Sequence, residues 1–248
     1  MIPVSVHGAE GRMGRLITEL VEASDDCELA CLVSEPGRDL AVGVLHPLLP
    51  LIGQDRLEAR HPAGGVVVDF SLAAALDGLL TQAAKVRAPL VTGVTGYDEA
   101  QQEALREYAR HHAVVQAANF SVGVPALQMV LRLLARTLPR GFDAEQVETH
   151  HSAKLDRPSG TARWLADGWA GERGGQQPPT HSQRIGGVIG EHRWTLGDME
   201  ETLELTHRAH SRRAFLRGIL PAVRFVQRAA PGLYGLEDVL QDLAAGGI

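Results

Sequence analysis

Cysteine is scarce in this sequence, which holds only Cys27 and Cys31 among its 248 residues. Two cysteines so close together cannot build a disulfide framework, and no further group of Cys or His lies near them at the spacing of a zinc site. We therefore expect both to be buried thiols on a strand, and we predict no metal site.

Long apolar runs and a basic charge excess are also missing. Nowhere do about 18 consecutive apolar residues occur, the length that a membrane-spanning helix needs. The first residues, MIPVSVHGAEGRMG, lack the basic start and apolar stretch of a secretory signal. The net charge of −6 argues against a nucleic-acid partner, which would require a basic stripe. We expect a cytoplasmic protein with neither a membrane nor a nucleic-acid partner.

Short apolar segments alternate with amphipathic segments in the first half of the chain. Apolar runs rich in β-branched residues predict strands at residues 2–7, 28–33, 66–69, 90–92 and 114–116. Helical periodicity predicts helices at residues 12–23, 73–86 and 98–110. Nearly continuous apolar strands between helices indicate a parallel sheet that is covered on both faces.

The pattern changes after Asn119. Ser121 is predicted as the N-cap of a helix that carries Pro125 in its first turn and runs to about residue 137. Alternating segments then predict an antiparallel or mixed sheet, with strands at residues 146–151, 185–196 and 202–207. A loop is predicted at residues 171–179, and a helical C-terminus with a break near Pro231.

These segments predict an α/β protein with two domains. The first is a Rossmann-type parallel-sheet domain for a dinucleotide, over residues 1–121, joined by C-terminal helices at about 218–248. The second is a smaller α+β domain with a mixed or antiparallel sheet, over residues 122–217.

A glycine-rich turn, GAEGRMG at residues 8–14, follows the first predicted strand and opens the first predicted helix. Such a turn lets the backbone approach a pyrophosphate, and the helix N-terminus then offers free N–H groups. The spacing GxxGxxG is a weak signal when taken alone, and the alternative is a tight strand-to-helix turn without a ligand.

The end of the second strand bears on coenzyme choice. An acidic residue there, such as Glu35, would accept from a ribose hydroxyl, whereas Arg38 would pair with a 2′-phosphate. Both types are present, so NADH and NADPH stay open, and both charges could equally be solvated. The loops at residues 93–96 and 117–120 follow later strands and could line the same cofactor or be plain loops.

The stretch ETHHSAKLDRPSGTA, residues 148–162, is the most informative segment. Its two histidines and its lysine follow a predicted strand, and Ser-Gly-Thr then opens a helix whose N–H groups could bind a carboxylate. Hydride transfer to an electron-poor carbon must be balanced by a proton, which His or Lys can supply. Adjacent residues His150 and His151 point to opposite faces of a strand and should differ in role. The alternative is a surface pair of histidines with a solvated lysine.

With these motifs in place, the sequence resembles the 4-hydroxy-tetrahydrodipicolinate (dihydrodipicolinate) reductase family of lysine and diaminopimelate biosynthesis. The resemblance rests on VSVHGAEGRMGR, VVVDFS, VTGVTGYDEA, AANFSVGV, ETHHSAKLDRPSGTA, RIGGVIGEH and LELTHRAHSR, which cover nearly the whole chain in the family's order. It implies reduction of a small cyclic dicarboxylate by NADH or NADPH, and a homotetramer.

The resemblance also implies roles for individual residues. His150 would be the catalytic acid/base and Lys154 the proton donor. Substrate carboxylate would be bound by His151, Ser159, Gly160 and Thr161. The cofactor would be bound by Gly8, Ala9, Glu10, Gly11, Arg12, Met13, Ser34, Glu35, Gly93, Val94, Thr95, Ala117, Ala118, Asn119 and Phe120.

Three departures from the family pattern concern the coenzyme. Val94 stands in a GVTG string where the family usually has GTTG, and Leu72 follows VVVDFS where some members have Arg. The cofactor acid falls on Ser34-Glu35 with a slip of one residue.

Two other functions remain as alternatives. A semialdehyde dehydrogenase would need a mid-chain cysteine nucleophile, but both cysteines lie early in the chain. A catalytically silent NAD(P)-sensing module would have no use for the His-His-Lys stretch.

Overall fold

Residues 1–247 are described by a computed structural model, and the chain divides into two units. Among the described residues, the first unit is 1–120 with 215–247, and the second is Ser121–Ala214. The strands are β1 (Ile2–His7), β2 (Cys27–Ser34), β3 (Leu51–Gly53), β4 (Val66–Asp69), β5 (Leu90–Thr92), β6 (Ala113–Gln116), β7 (Asp143–His150), β8 (Thr180–Arg184), β9 (Glu191–Gly197), β10 (Thr202–Arg208) and β11 (Gly232–Tyr234).

The helices are α1 (Arg12–Glu22), α2 (Leu57–Arg60), α3 (Leu76–Lys85), α4 (Glu99–Ala109), α5 (Gly123–Thr137), α6 (Gly160–Glu172), α7 (Ile219–Arg228) and α8 (Leu236–Ala244). Short 3-10 turns lie at Gln54–Arg56, Ala73–Ala75 and Arg212–Leu216. None of the helices within residues 1–247 is long and apolar enough to cross a membrane.

The first unit is built on a seven-stranded parallel sheet in the order β11-β6-β5-β4-β1-β2-β3. The residues of β4 alternate between two cores, because successive side chains of a strand point to opposite faces. Val66 and Val68 belong to the core that includes residues of α1 and α7, and Val67 to the core with residues of α3 and α4. The predicted parallel sheet with two covered faces is therefore confirmed. Its order reverses between β1 and β4, where open α/β sheets bind their ligands.

The second unit carries a four-stranded mixed sheet in the order β10-β9-β7-β8. Strand β7 is parallel to β8 and antiparallel to β9, so the predicted smaller mixed sheet is confirmed. Trp194 and Leu196 of β9 are fully buried, and they share a core with Leu131 of α5 and Leu165 of α6. Burial of one face of the sheet by two helices explains the alternation in these strands.

Several local predictions are wrong. Ser121 is not the N-cap of α5, because the cap is Val122 and the Ser121 hydroxyl instead lies 3.3 Å from Nε2 of His207. The strand predicted at 185–196 begins only at Glu191, since Gly186 turns the chain with a φ of +49°. The sequence pattern also did not reveal β3, β8 and β11, which are five residues or shorter.

The two cysteines agree with expectation. Cys27 and Cys31 lie on β2, and both are buried and free. Burial raises the pKa of both thiols, so they stay protonated at neutral pH.

Candidate active site

A buried polar network fixes the ends of three neighbouring strands in the first unit. Nδ1 of His7, at the end of β1, lies 2.8 Å from Oδ1 of Asp69, at the end of β4, and both side chains are 1% exposed. The backbone N–H of Ser71 donates to the same carboxylate, and the Thr92 hydroxyl lies 3.4 Å from its other oxygen. The loops that leave these strands therefore start from fixed positions.

The glycine turn leaves the end of β1 in a conformation that only glycine adopts easily. Gly8 has a φ of +78°, and a Cβ there would approach the backbone of Phe70 to 2.9 Å. A Cβ on Gly14 would lie 2.1 Å from the carbonyl oxygen of Gly8. The predicted glycine positions thus make the tight strand-to-helix packing possible.

The N-terminus of α1 is open to an anion. Its N-cap is Gly11, which has no side chain to cap the helix, and the first turn contains no acidic residue. The first N–H groups of the helix are therefore available, together with the positive end of its dipole. Among the neighbouring predicted residues, Ala9 is buried, Arg12 is exposed, and Met13 packs against the core. These features fit the pyrophosphate of a dinucleotide.

Glu10 reaches from the glycine turn to the end of β2. Its carboxylate accepts from the Ser34 hydroxyl at 2.6 Å and from two N–H groups of Arg38 at 2.8 Å each. Glu35 is 71% exposed and approaches Arg38 only to 3.8 Å. The hydrogen bond from Arg38 is the main reason that the pKa of Glu10 is lowered, so this carboxylate is ionised at neutral pH.

The remaining residues predicted for the cofactor lie after β5 and β6. Gly93 packs against the Phe70 ring, Val94 is buried, and Thr95 is exposed. Ala118 is exposed, whereas Ala117 and Asn119 are partly buried. The Phe120 side chain is fully buried against Phe70, its N–H donates to the carbonyl of Phe215, and its carbonyl accepts from the N–H of Gly218. The structure brings these loops to the same edge of the sheet as the glycine turn, since all follow parallel strands.

In the second unit, a buried carboxylate lies beside the first histidine of the motif. Glu148 and His150 are two residues apart on β7 and so share one face. The Glu148 carboxylate is fully buried, and its Oε2 lies 2.5 Å from Nδ1 of His150. Burial raises the pKa of Glu148, but hydrogen bonds from Arg184, Ser182 and His150 outweigh it, so the net pKa is lowered.

Arg184 is the second partner of this carboxylate. Its guanidinium is 1% exposed and donates to both Glu148 oxygens, at 2.9 and 2.7 Å. Its other N–H groups donate to the backbone carbonyls of Gln183, Lys154 and Asp156. All five N–H donors of an arginine are thereby used. The parallel pairing of β7 with β8 places Arg184 opposite His150.

His150 is held as a neutral imidazole. Burial lowers its pKa, and the hydrogen bond with Glu148 only partly offsets this effect. Because an ionised carboxylate can only accept, we assign the single ring proton to Nδ1, which leaves Nε2 as an acceptor. A Cβ on Gly190 would lie 3.2 Å from Nε2, so the glycine leaves this edge of the ring uncrowded.

A second histidine supports the ring of His150. His192 of β9 lies opposite Glu148 in the sheet, and its ring meets that of His150 edge to face at 5.4 Å. His192 is 3% exposed, and burial lowers its pKa to about 3. The cationic forms of His150, His207 and Lys154 lower it further, whereas Glu148 raises it.

The rest of the motif forms a loop that leads into α6. Nζ of Lys154 pairs with Asp156 at 2.7 Å, and the N–H of Lys154 donates to the carbonyl of His151. Ser159 is the N-cap of α6, where its hydroxyl accepts from the N–H of Ala162. Its own N–H points at Glu148 at 3.4 Å.

The start of α6 offers backbone N–H donors, and that of Gly160 hydrogen-bonds the Asp156 carboxylate in the free protein. The first turn contains no acidic residue, Gly160 is exposed and Thr161 is partly exposed. A Cβ on Gly160 would meet only the end of the Arg163 side chain, at 4.0 Å. This end of the helix is therefore suited to a carboxylate, as the motif predicts.

The structure thus joins His150 and Ser159 through Glu148, and it ties the Lys154 backbone to the same group through Arg184. The sequence pattern alone did not identify Glu148 as a site residue, nor Arg184 as its partner. An acidic residue two positions before His150 on a strand is a signal for the first. The second depends on the pairing of β7 with β8, which the sequence pattern does not reveal.

Comparisons with known proteins identify the family. The family models for the N-terminus and the C-terminus of dihydrodipicolinate reductase match residues 2–120 and 123–240. A 4-hydroxy-tetrahydrodipicolinate reductase of Stenotrophomonas maltophilia is 39% identical over 237 residues, which cover 95% of this chain and 96% of the relative. A 4-hydroxy-tetrahydrodipicolinate reductase of Thiobacillus denitrificans is 35% identical over 262 residues, which cover 96% of this chain and 98% of the relative.

A solved structure has the same fold. It is the dipicolinate-bound dihydrodipicolinate reductase of Paenisporosarcina sp. TG-14, with a TM-score of 0.81 and 23% identity, covering 96% of this chain and 99% of that one. The chain therefore belongs to the dihydrodipicolinate reductase family, Rossmann-type oxidoreductases that use a pyridine nucleotide in lysine and diaminopimelate biosynthesis.

Proposed function

We propose that this chain reduces 4-hydroxy-tetrahydrodipicolinate to tetrahydrodipicolinate with NADH or NADPH, in a reaction that releases the 4-hydroxyl as water and adds one hydride and one proton. The observation that carries the proposal is the buried cluster of Glu148, His150 and Arg184 beside the N-terminus of α6, where a carboxylate, that of Asp156, is already bound. The curated relatives carry the name of this activity over nearly their whole length, and one structural neighbour binds dipicolinate, which supports a dicarboxylate substrate.

The first unit holds the cofactor. The N–H groups at the start of α1 take the pyrophosphate, and the other backbone and side-chain contacts come from the residues at the carboxyl ends of β1, β2, β5 and β6. The bound dihydronicotinamide supplies the hydride. The close packing at Gly8 and Gly14 fixes the turn before the cofactor arrives, which lowers the entropy cost of binding.

The second unit holds the substrate by its carboxylates. The N–H groups of Gly160 and Thr161 donate to one carboxylate, which takes the place of Asp156 at Gly160, and His151 contributes a further donor. The Ser159 hydroxyl is used as a helix cap, so its contribution is to fix the helix start.

His150 and Lys154 are the proton-transfer groups of the proposed reaction. Nε2 of the neutral His150 accepts a proton or a hydrogen bond from the substrate, and the Glu148 carboxylate stabilises the imidazolium that results. The Lys154 ammonium donates the proton that balances the hydride. In the free protein Asp156 engages this ammonium, so Lys154 must leave that pairing to act.

A homotetramer, which the family resemblance implies, and a cytoplasmic location are further parts of the proposal.

A coupled assay tests the function. Pyruvate, aspartate semialdehyde and a dihydrodipicolinate synthase generate the substrate in place, and oxidation of NADH and NADPH is followed by absorbance. Oxidation should require the synthase and should fall by about 100-fold or more in His150→Ala and Lys154→Ala, because each removes a proton-transfer group. The matched controls are His181→Ala and Lys85→Ala, both exposed. No synthase-dependent oxidation from a folded, cofactor-binding protein would refute the proposal.

A further inference from the structure

The contact between Glu10, Ser34 and Arg38 lies at the position where a Rossmann domain discriminates between NADH and NADPH. A parallel sheet of this type recognises the adenosine ribose at the end of its second strand, through an acidic residue for NADH or an arginine for the 2′-phosphate of NADPH. In this chain β2 ends at Ser34, whose side chain is a hydroxyl. The strand end therefore does not itself supply the acid.

The carboxylate at this position comes instead from the glycine turn. Glu10 accepts from the Ser34 hydroxyl at 2.6 Å, so its oxygens lie directly at the end of β2. Ser34 is only 8% exposed, and this hydrogen bond satisfies its buried hydroxyl. Glu35 is 71% exposed, and its carboxylate comes no closer to Arg38 than 3.8 Å. Glu10 is thus held at the strand end, and Glu35 is not.

The same carboxylate occupies the arginine. Arg38 directs Nε and Nη2 at the two Glu10 oxygens, in the two-pronged geometry that it would use for a phosphate. A 2′-phosphate bound to this edge of Arg38 would have to displace Glu10, and one bound to its remaining N–H groups would still meet the negative charge of Glu10, with Glu35 as a second negative charge nearby. Ribose hydroxyls, in contrast, can donate to a carboxylate.

We propose that Glu10 selects the coenzyme, because it accepts hydrogen bonds from the adenosine ribose hydroxyls and holds Arg38 away from a 2′-phosphate. The chain therefore prefers NADH to NADPH. The inference rests on the proposed function, since it assumes that the first unit binds a nicotinamide dinucleotide. Ser34 acts as a positioning residue for Glu10.

Calorimetric titration of the substrate-free protein tests this without any turnover. NADH, NADPH, 5′-AMP and 2′,5′-ADP are titrated into the wild type, Glu10→Gln, Glu35→Gln and the double variant Glu10→Gln/Arg38→Gln. The wild type should bind NADH about tenfold or more tightly than NADPH, because a like charge opposes the phosphate. Glu10→Gln should shift this ratio by about tenfold or more toward NADPH, with a parallel gain for 2′,5′-ADP, since Arg38 is released. The double variant should lose that gain, and Glu35→Gln should shift the ratio less than Glu10→Gln.

Other results overturn the inference. A wild type that prefers NADPH, or a ratio that Glu10→Gln leaves unchanged, would refute it while leaving the reductase function intact. A larger shift in Glu35→Gln than in Glu10→Gln would assign the selection to Glu35. A wild type that binds neither dinucleotide would overturn both this inference and the proposed function.

Discussion

Replacing Glu148 by glutamine changes one atom of a side chain that is fully buried. The carboxylate accepts four N–H groups, from Arg184 twice, from His150 and from Ser159. Glutamine offers one oxygen and directs an NH₂ group at donors, so at least one of these contacts becomes a clash of two donors. It also leaves the buried Arg184 guanidinium without its counter-charge.

The loss of stability follows from these contacts. Removing one partner of a buried ion pair costs about 3–5 kcal/mol of stability. Because Arg184 keeps its hydrogen bonds to three backbone carbonyls, we expect Glu148→Gln to lose about 3 kcal/mol. Urea unfolding measures this free energy. Glu145→Gln is the matched control on the same strand, because Glu145 is exposed and only pairs with His181, and it should change stability by less than about 0.5 kcal/mol.

The effect on catalysis is separable from the effect on stability. Without the carboxylate, the proton of His150 is no longer held on Nδ1. Under conditions in which the variant is still folded, its kcat should therefore fall by about 100-fold or more. Nitrogen NMR of labelled histidine should show Nδ1 protonated in the wild type and a mixture of tautomers in Glu148→Gln. A stable Glu148→Gln variant whose kcat lies within about threefold of the wild type would refute this role of Glu148.

Two further predictions concern pH and the glycine turn. The pKa of His192 is about 3 in the folded protein and near 6.5 when unfolded, so unfolding takes up a proton as the pH falls below about 6.5 and the free energy of unfolding decreases. The free energy of unfolding, measured in urea near pH 7.5 and near pH 5, should decrease between these pH values by about 2 kcal/mol less in His192→Gln than in the wild type. In the exposed control His181→Gln, the decrease should equal that of the wild type. Gly14→Ala forces a Cβ onto the carbonyl of Gly8 and should weaken NADH binding by about tenfold or more, measured by titration, with a loss of about 1–3 kcal/mol in stability. Gly171→Ala in α6 meets no atom within 4 Å and should leave NADH binding unchanged; equal effects of both alanines would contradict the steric argument.

Much of the fold is predictable because burial on both faces gives parallel strands a nearly continuous apolar pattern. The bounds of β1, β4 and β5 agree with the predicted segments to the residue. The short strands β3 and β11 lie near prolines and glycines and carry too few residues for a periodic signal. The strand β8 falls in a polar sequence, THSQR, and its place depends on pairing with β7.

The candidate site was predictable only in part, for a physical reason. The residue types of the His-His-Lys stretch indicate proton transfer because few side chains titrate near neutral pH. The partners of His150 depend on strand register: Arg184 lies 36 positions after Glu148 in sequence, and β7–β8 pairing places it opposite His150, where its side chain reaches Glu148. Glu10 was predicted for the cofactor by its place in the turn, but its contact with Arg38 depends on how α1 and β2 pack.

The most direct test of the central claim is isotope transfer. The purified chain, the synthase-generated substrate and NADH carrying deuterium at C4 on the transferred face are incubated together, and the products are analysed by mass spectrometry. The product should be tetrahydrodipicolinate that carries one deuterium, together with an equal amount of NAD⁺. Oxidised cofactor without deuterium in the product, or no product from a protein that binds NADH, would contradict it.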